Sequence, residues 1–190
     1  MWTRLKTWLR QQPTLPEVPT MAERGDPKAD ISVLLVCMGN ICRSPMAEGW
    51  LSEQLRRRAS DTRVFVDSAG THGYHAGSAP DPRAQSATAR RGFHIGHLQA
   101  RQVVTTDFER FDLLLAMDSD NFDFLVGLAP DEGRQKIRHF LDFAPSAGLK
   151  DVPDPYYGGD TGFERVLDLV EDAVNGLLVE LDRLAQQKRR

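Results

Sequence analysis

One stretch constrains this chain more than any other: Ile31-Ser32-Val33-Leu34-Leu35-Val36-Cys37, followed by Met38-Gly39-Asn40-Ile41-Cys42-Arg43-Ser44-Pro45. The first half is apolar and rich in β-branched residues, and it does not alternate. Such a run reads as a strand buried on both faces. It stops at a cysteine. Ser44-Pro45 reads as a helix start, with Ser44 at the N-cap and Pro45 at the first helical position. The spacing therefore predicts a strand, a tight loop from Cys37 to Arg43, and a helix N-terminus in direct succession.

That arrangement favours anions. Consecutive backbone N–H groups in such a loop can point inward around an oxyanion. The helix N-terminus adds unpaired donors and partial positive charge. Gly39 lets the backbone bend where a Cβ would interfere. Arg43 can grip two oxygens of a tetrahedral dianion. The same field favours thiolate over thiol at Cys37, and a thiolate facing a bound phosphate is a nucleophile in place.

Cys-x5-Arg-Ser resembles the phosphate loop of cysteine-dependent phosphatases. The fuller text from Val36 to Glu48, with Cys37, Asn40, Cys42, Arg43, Ser44 and Pro45 in it, is similar to that of the low-molecular-weight protein tyrosine phosphatases. The resemblance covers about residues 32 to 187. It implies a four-stranded parallel sheet flanked by helices, with the phosphate-binding loop after the first strand. It also implies Cys37 as nucleophile, Arg43 with the backbone of Met38, Gly39, Asn40, Ile41, Cys42 and Ser44 as the phosphate cradle, and no metal or cofactor.

A cysteinyl phosphatase needs a proton donor for the leaving alcohol. Asp151-Val152-Pro153-Asp154-Pro155-Tyr156-Tyr157 offers two candidate acids. The family carries Asp-Pro in a late loop, and Asp154-Pro155-Tyr156 matches it, so the resemblance assigns Asp154 as general acid. Pro155 restricts Asp154 to extended conformations. Tyr156 is expected to line the mouth of the pocket, and Tyr74 to form the opposite wall as the family's variable loop does. Met38 and Ile41 would supply apolar floor and side. The family also implies a network in which Asn40 bonds to Ser44, Ser68 and a histidine. His97 is the candidate, although its segment runs one residue longer than the family pattern. Asn40 tolerates left-handed backbone.

Composition sets the outer limits. A chain of 190 residues fits one domain with a full core. A net charge of −3 gives no basic footprint for nucleic acid. No apolar run reaches membrane-spanning length. The two cysteines lie in one loop, which is not a disulfide framework and points to the reducing cytoplasm. Cys42 is either a redox partner for Cys37 or a small packing residue. His72-x-x-His75 and His94-x-x-His97 lack an evident third ligand, which argues against a metal. The expected partner is a phosphotyrosine-containing protein, with room for weak self-association.

Along the chain, residues 1–30 read as a flexible N-terminal extension, with Pro13, Pro16, Pro19 and Pro27 among acidic residues. Its first ten residues set Trp2, Leu5, Trp8 and Leu9 at helical spacing among basic residues, a pattern that can touch a membrane surface or a partner, but the favoured reading is a disordered extension or residues upstream of a start at Met21. The phosphatase domain would span 31–190. Strands are expected at 64–66, 113–117 and 136–141. Helices are expected at 45–59, 82–91 and 121–128, with a turn at 106–110 and a long helix from 162 to 187. Alternation of this kind argues an α/β domain with a parallel sheet. Cys37, Ser68 and Asp118 would follow strand ends and meet at one edge of the sheet.

Two rivals share some of these features. A thiol-linked arsenate reductase of the same fold needs further cysteines to carry a disulfide away, and none lies outside the loop. A catalytically idle phosphotyrosine-binding module would have no use for Cys37, Arg43 and Asp154 together.

Overall fold

The computed structural model describes residues 29–189, so the expected N-terminal extension lies almost wholly outside the described residues. The order is β1 (Ile31–Cys37), α1 (Arg43–Arg57), β2 (Val64–Gly70), α2 (Pro82–Arg90), α3 (Asp107–Arg110), β3 (Leu113–Ala116), α4 (Ser119–Leu128), α5 (Asp131–Arg134), β4 (Ile137–His139) and α6 (Gly159–Lys188). The strands form one parallel sheet in the order β2-β1-β3-β4.

The unbroken apolar text of β1 has its reason in this sheet. Val33, Leu35 and Cys37 face one core with Met46, Leu51, Phe163 and Val170. Leu34 and Val36 face a second core with Phe108, Phe111, Leu114 and Leu125. From Val33 to Cys37 each alternate side chain therefore meets a helical layer, and the strand's one polar residue, Ser32, sits near its start, where it bonds to Asp112.

Several boundaries differ from expectation. Helix α1 begins at Arg43, with Cys42 rather than Ser44 at the N-cap and no side-chain cap bond. Pro45 still fits, because first-turn N–H groups have no intrahelical partner to lose. Strand β2 runs on through Asp67 and Ser68 to Gly70, so Ser68 lies within the strand and not beyond it. Its polar residues find partners in Arg101, Asn40 and Glu48, and the ladder to β1 continues as far as Cys37 beside Gly70. The fourth strand is only Ile137–His139. The chain then turns through a 3-10 segment, Phe140–Phe143, that buries Phe140 and Leu141 in the first core. Helix α4 starts early because Asp118 caps it, accepting from the Asn121 backbone N–H at 2.7 Å.

Candidate active site

The loop between β1 and α1 is held from behind. Asn40 adopts φ 55°, the only non-glycine residue with positive φ among those described. Gly39 does not bend the loop in this way. Its need is for space, since a Cβ there would lie 3.0 Å from the His75 ring. Asn40 is 2% exposed, and its amide is fully used. Nδ2 donates to Ser44 Oγ at 2.9 Å and to Ser68 Oγ at 2.8 Å. Oδ1 accepts from the Arg101 backbone N–H at 2.9 Å. Ser68 in turn donates to Glu48 at 2.6 Å. The histidine expected in this network is absent from it: His97 is exposed, and the Arg101 main chain takes that place.

These bonds fix the surroundings of Cys37. Its Sγ lies 3.0 Å from Ser44 Oγ and accepts from the Asn40 backbone N–H at 3.3 Å. Asn40 Nδ2 occupies a lone pair on Ser44 Oγ, so the Ser44 proton is free to point at sulfur. The alternative acceptor, the Ala69 carbonyl, is farther away at 3.4 Å. Gly70 makes the close approach of β2 possible, because a Cβ there would stand 2.7 Å from the Met38 carbonyl.

Arg43 joins this loop to the late acidic segment. Its side chain is 4% exposed. Nη1 donates to Asp118 at 2.5 Å and to the Val152 carbonyl at 3.2 Å, while Nη2 reaches Asp154 at 3.3 Å. Burial works against its charge, but Cys37, Asp118 and Asp154 outweigh that and hold the guanidinium protonated. Asp154 accepts from the Tyr156 N–H at 3.0 Å, the local turn that Asp-Pro favours.

A cavity of about 210 Å³ opens over Cys37. Cys37, Met38, Gly39, Ile41, Cys42 and Arg43 line it from the loop, and Asp154, Tyr156 and Tyr157 from the late segment. Asn40 and Ser44 support it from beneath. The expected opposite wall is different. Tyr74 is 83% exposed and stacks on His72, and His75 lines the cavity instead. The turn after β2 packs Tyr74 outward against a neighbouring ring, which leaves the next side chain to face the loop.

Sequence reasoning missed Arg83. Its guanidinium lies 5.2 Å from the Tyr156 ring centre and 5.0 Å from that of Phe163, and it donates to the Tyr156 carbonyl at 2.9 Å. Asp81, the N-cap of α2, pairs with it and is held below the usual carboxylate range by that bond. The Asp81-Pro82 signal located the helix; nothing local in the sequence pointed Arg83 at a segment over seventy residues away. Burial, then the nearby charges of Asp81 and Cys37, push the Cys42 thiol up to about 12.

A model of the low molecular weight phosphotyrosine protein phosphatase family matches residues 32–189. The chain belongs to that family. YfkJ of Bacillus subtilis, a low molecular weight protein-tyrosine-phosphatase, is 38% identical over 156 residues, covering 82% of this chain and 99% of the relative. The crystal structure of the protein tyrosine phosphatase from Entamoeba histolytica with Hepes in its active site superposes with a TM-score of 0.75 at 40% identity, covering 80% of this chain and 97% of that one. Wzb of Vibrio vulnificus, solved in complex with benzylphosphonate, gives a TM-score of 0.68 at 27% identity, covering 79% and 98%. Family membership therefore agrees with the loop, the sheet order and the helical layers described above.

Proposed function

We propose that this phosphatase-family chain hydrolyses phosphotyrosine in proteins through a cysteinyl-phosphate intermediate. The observation that carries the reading is the shared cavity: Cys37, 3% exposed, lines it together with Arg43 and Asp154. In the first step Cys37 thiolate attacks phosphorus in line with the tyrosine oxygen. The backbone N–H groups from Met38 to Ser44 and the Arg43 fork stabilise the equatorial oxygens. Ser44 Oγ at 3.0 Å and the Asn40 N–H at 3.3 Å stand where they can donate to the attacking sulfur.

Arg43 is anchored most strongly through Nη1. Its Nη2 contact with Asp154 is the longer one, at 3.3 Å. An incoming dianion takes Nη2 and releases Asp154, which then holds a proton for the leaving tyrosine. In the second step Asp154 accepts a proton from water as that water attacks the cysteinyl phosphate, and inorganic phosphate leaves. No metal or cofactor takes part in this scheme. Membership of the phosphotyrosine phosphatase family supports an aryl ester as substrate, since in a deep slot a phosphoserine side chain is too short to bring phosphorus to the sulfur. Tyr156 and Met38 flank the path an aromatic ring would take. The benzylphosphonate held by the Vibrio relative has this same shape of ligand. A nucleophile that must stay reduced suits the cytoplasm.

The test is turnover of p-nitrophenyl phosphate in the presence of EDTA, followed by matched phosphotyrosine and phosphoserine peptides. Hydrolysis of the first two and not the third is expected. Tight binding without hydrolysis would instead make the chain a phosphotyrosine reader.

A further inference from the structure

The late acidic segment opens on a second carboxylate, Asp151, which the scheme above leaves without a task. Its Oδ1 accepts from the Ser119 hydroxyl at 2.9 Å and stands 3.9 Å from His139 Nδ1. His139 is the last residue of β4, beside Ala116 of β3 in the sheet register. Its ring stacks on Phe122 of α4, with centres 4.5 Å apart and planes 10° apart. Strand and stack together hold the imidazole in place, and its side chain is 9% exposed.

Nδ1 of this ring is buried and has no hydrogen-bond partner among the described residues. A buried nitrogen left unpaired is costly. Nε2 is not shut off in the same way, so water can serve it. The Asp151 carboxylate only accepts, so the atom that meets it must carry a proton. A neutral ring with its proton on Nδ1 and water at Nε2 satisfies both nitrogens. The distance of 3.9 Å is about 1 Å beyond a hydrogen bond, and a shift of that size by Asp151 closes it.

The sequence makes such a shift felt at Asp154. Pro153 and Pro155 fix φ at two positions and restrict Val152 and Asp154 to extended backbone. The span from Asp151 to Asp154 is therefore stiff. It is pinned at Val152, whose N–H donates to the Met117 carbonyl at 2.7 Å and whose carbonyl accepts from Arg43 at 3.2 Å. Asp151 lies on one side of this pin in the chain and Asp154 follows on the other. In the scheme above, Asp154 gives up its tie to Arg43. A second hold at Asp151 then decides where the Asp154 carboxyl points.

We propose that His139 is a positioning residue for the general acid: its Nδ1–H closes on Asp151 as Asp154 leaves Arg43, and so aims Asp154 at the leaving oxygen. The inference rests on the phosphatase reading above. His139 does not line the cavity over Cys37, keeps its proton throughout, and acts only on steps that need Asp154 in place.

The test is the ratio of kcat/KM for phenyl phosphate to that for a strongly activated aryl phosphate. Both are measured on one protein, so a loss of folded enzyme cancels. His139→Leu should lower the ratio about three- to tenfold. His139→Asn puts an amide nitrogen where Nδ1 stands and should restore it to within about twofold of wild type. His139→Gln puts that nitrogen where Nε2 stands and should not. Asp151→Ala, at an exposed position, should lower the ratio as His139→Leu does, and the double variant should be no worse than either alone. Ser119→Ala removes the other donor to Asp151 and should stay within about twofold of wild type. If the His139 variants fail to fold, the Asp151→Ala and Ser119→Ala ratios decide the matter. Equal losses on both esters, equal ratios for His139→Asn and His139→Gln, or losses that multiply in the double variant overturn the role of His139. So does an Asp151→Ala ratio near that of wild type, or a Ser119→Ala ratio as low as that of Asp151→Ala. Each of these leaves the phosphatase reading standing. Absence of turnover of both esters by the wild type overturns the phosphatase reading and this role with it.

Discussion

The loop from Cys37 to Ser44 and the segment from Asp151 to Tyr157 face the same cavity but are held in opposite ways. The first is supported by its own residues and by buried neighbours, with Asn40, Arg43 and Ser44 all under 4% exposed. The second is largely exposed, and its hold comes from distant residues: Arg43 on Asp154 and Val152, Arg83 on Tyr156, and the Val152 N–H on the Met117 carbonyl at 2.7 Å. Rigid support suits a cradle that must match the charge of a transition state without rearranging. External support suits the role proposed for Asp154, an acid that must release Arg43, carry a proton and then take one back. Changes in the first region should therefore disable chemistry on every substrate, and changes in the second should depend on how much protonation the leaving group needs.

The largest effect tests the cradle. Cys37→Ser should lower turnover by about 10⁴-fold or more while leaving anion binding in place. Arg43→Lys should cost about 10²- to 10³-fold, because an ammonium reproduces neither the fork nor the hold on Asp118 and Val152. Stopped-flow assays with p-nitrophenyl phosphate and isothermal titration with inorganic phosphate measure both. Near-normal turnover by Cys37→Ser would remove the basis of the mechanism.

The next effect tests the acid. Asp154→Ala should slow phenyl phosphate by about 10²-fold or more and a strongly activated aryl phosphate far less. Equal losses on the two esters would deny Asp154 that role and leave the comparison between the two regions without support.

A pair of smaller changes sharpens the contrast. Asn40→Ala removes three hydrogen bonds and leaves a left-handed position to a residue that resists it, so turnover should fall about ten- to a hundredfold on all esters alike. Arg83→Ala removes the hold on Tyr156 and should cost about three- to tenfold, and only where the leaving group is poor. A leaving-group series gives the slope for each variant. A steeper slope for Asn40→Ala than for Arg83→Ala would reverse the assignment of rigid and adjustable parts.

The same contrast explains what could be read from the chain. The cradle was legible because its residues are consecutive: β1, the loop and α1 carry their signals within fifteen positions of sequence. Ser44 was misplaced as a cap because a hydroxyl at a helix start looks alike whether it serves the helix or a neighbouring sulfur. Asp154 was found only through resemblance, since Asp-Pro by itself is a turn signal. Arg83, Arg101 and His75 were beyond reach, as each acts through a partner set by the packing of α2 or of the segment after β2. Tyr74 was read as a wall through resemblance to the family's variable loop, which says where an aromatic sits in the chain but not which way its ring faces.

The smallest effect concerns Cys42, and it appears only under oxidant. Peroxide converts the Cys37 thiolate to a sulfenic acid. Capture requires Cys42 as thiolate, which attacks the Cys37 sulfur, forms the disulfide and expels hydroxide. Burial, followed by the charges of Asp81 and Cys37, has pushed the Cys42 thiol up to about 12, so at neutral pH almost all of it is protonated. Oxidation of Cys37 to a neutral sulfenic acid removes one of those charges, but burial and Asp81 remain. The sign follows directly. Below pH 12 the thiolate fraction rises about tenfold per pH unit, and capture should accelerate in proportion. At neutral pH, overoxidation of Cys37 should therefore compete, and dithiothreitol should restore only part of the activity. At higher pH the wild type should recover more fully, whereas Cys42→Ser should remain inactive and carry higher oxides at Cys37 by mass spectrometry. Recovery that is equal in the two proteins at every pH would leave Cys42 as packing beneath the loop, and the cradle would then have no thiol to protect its nucleophile.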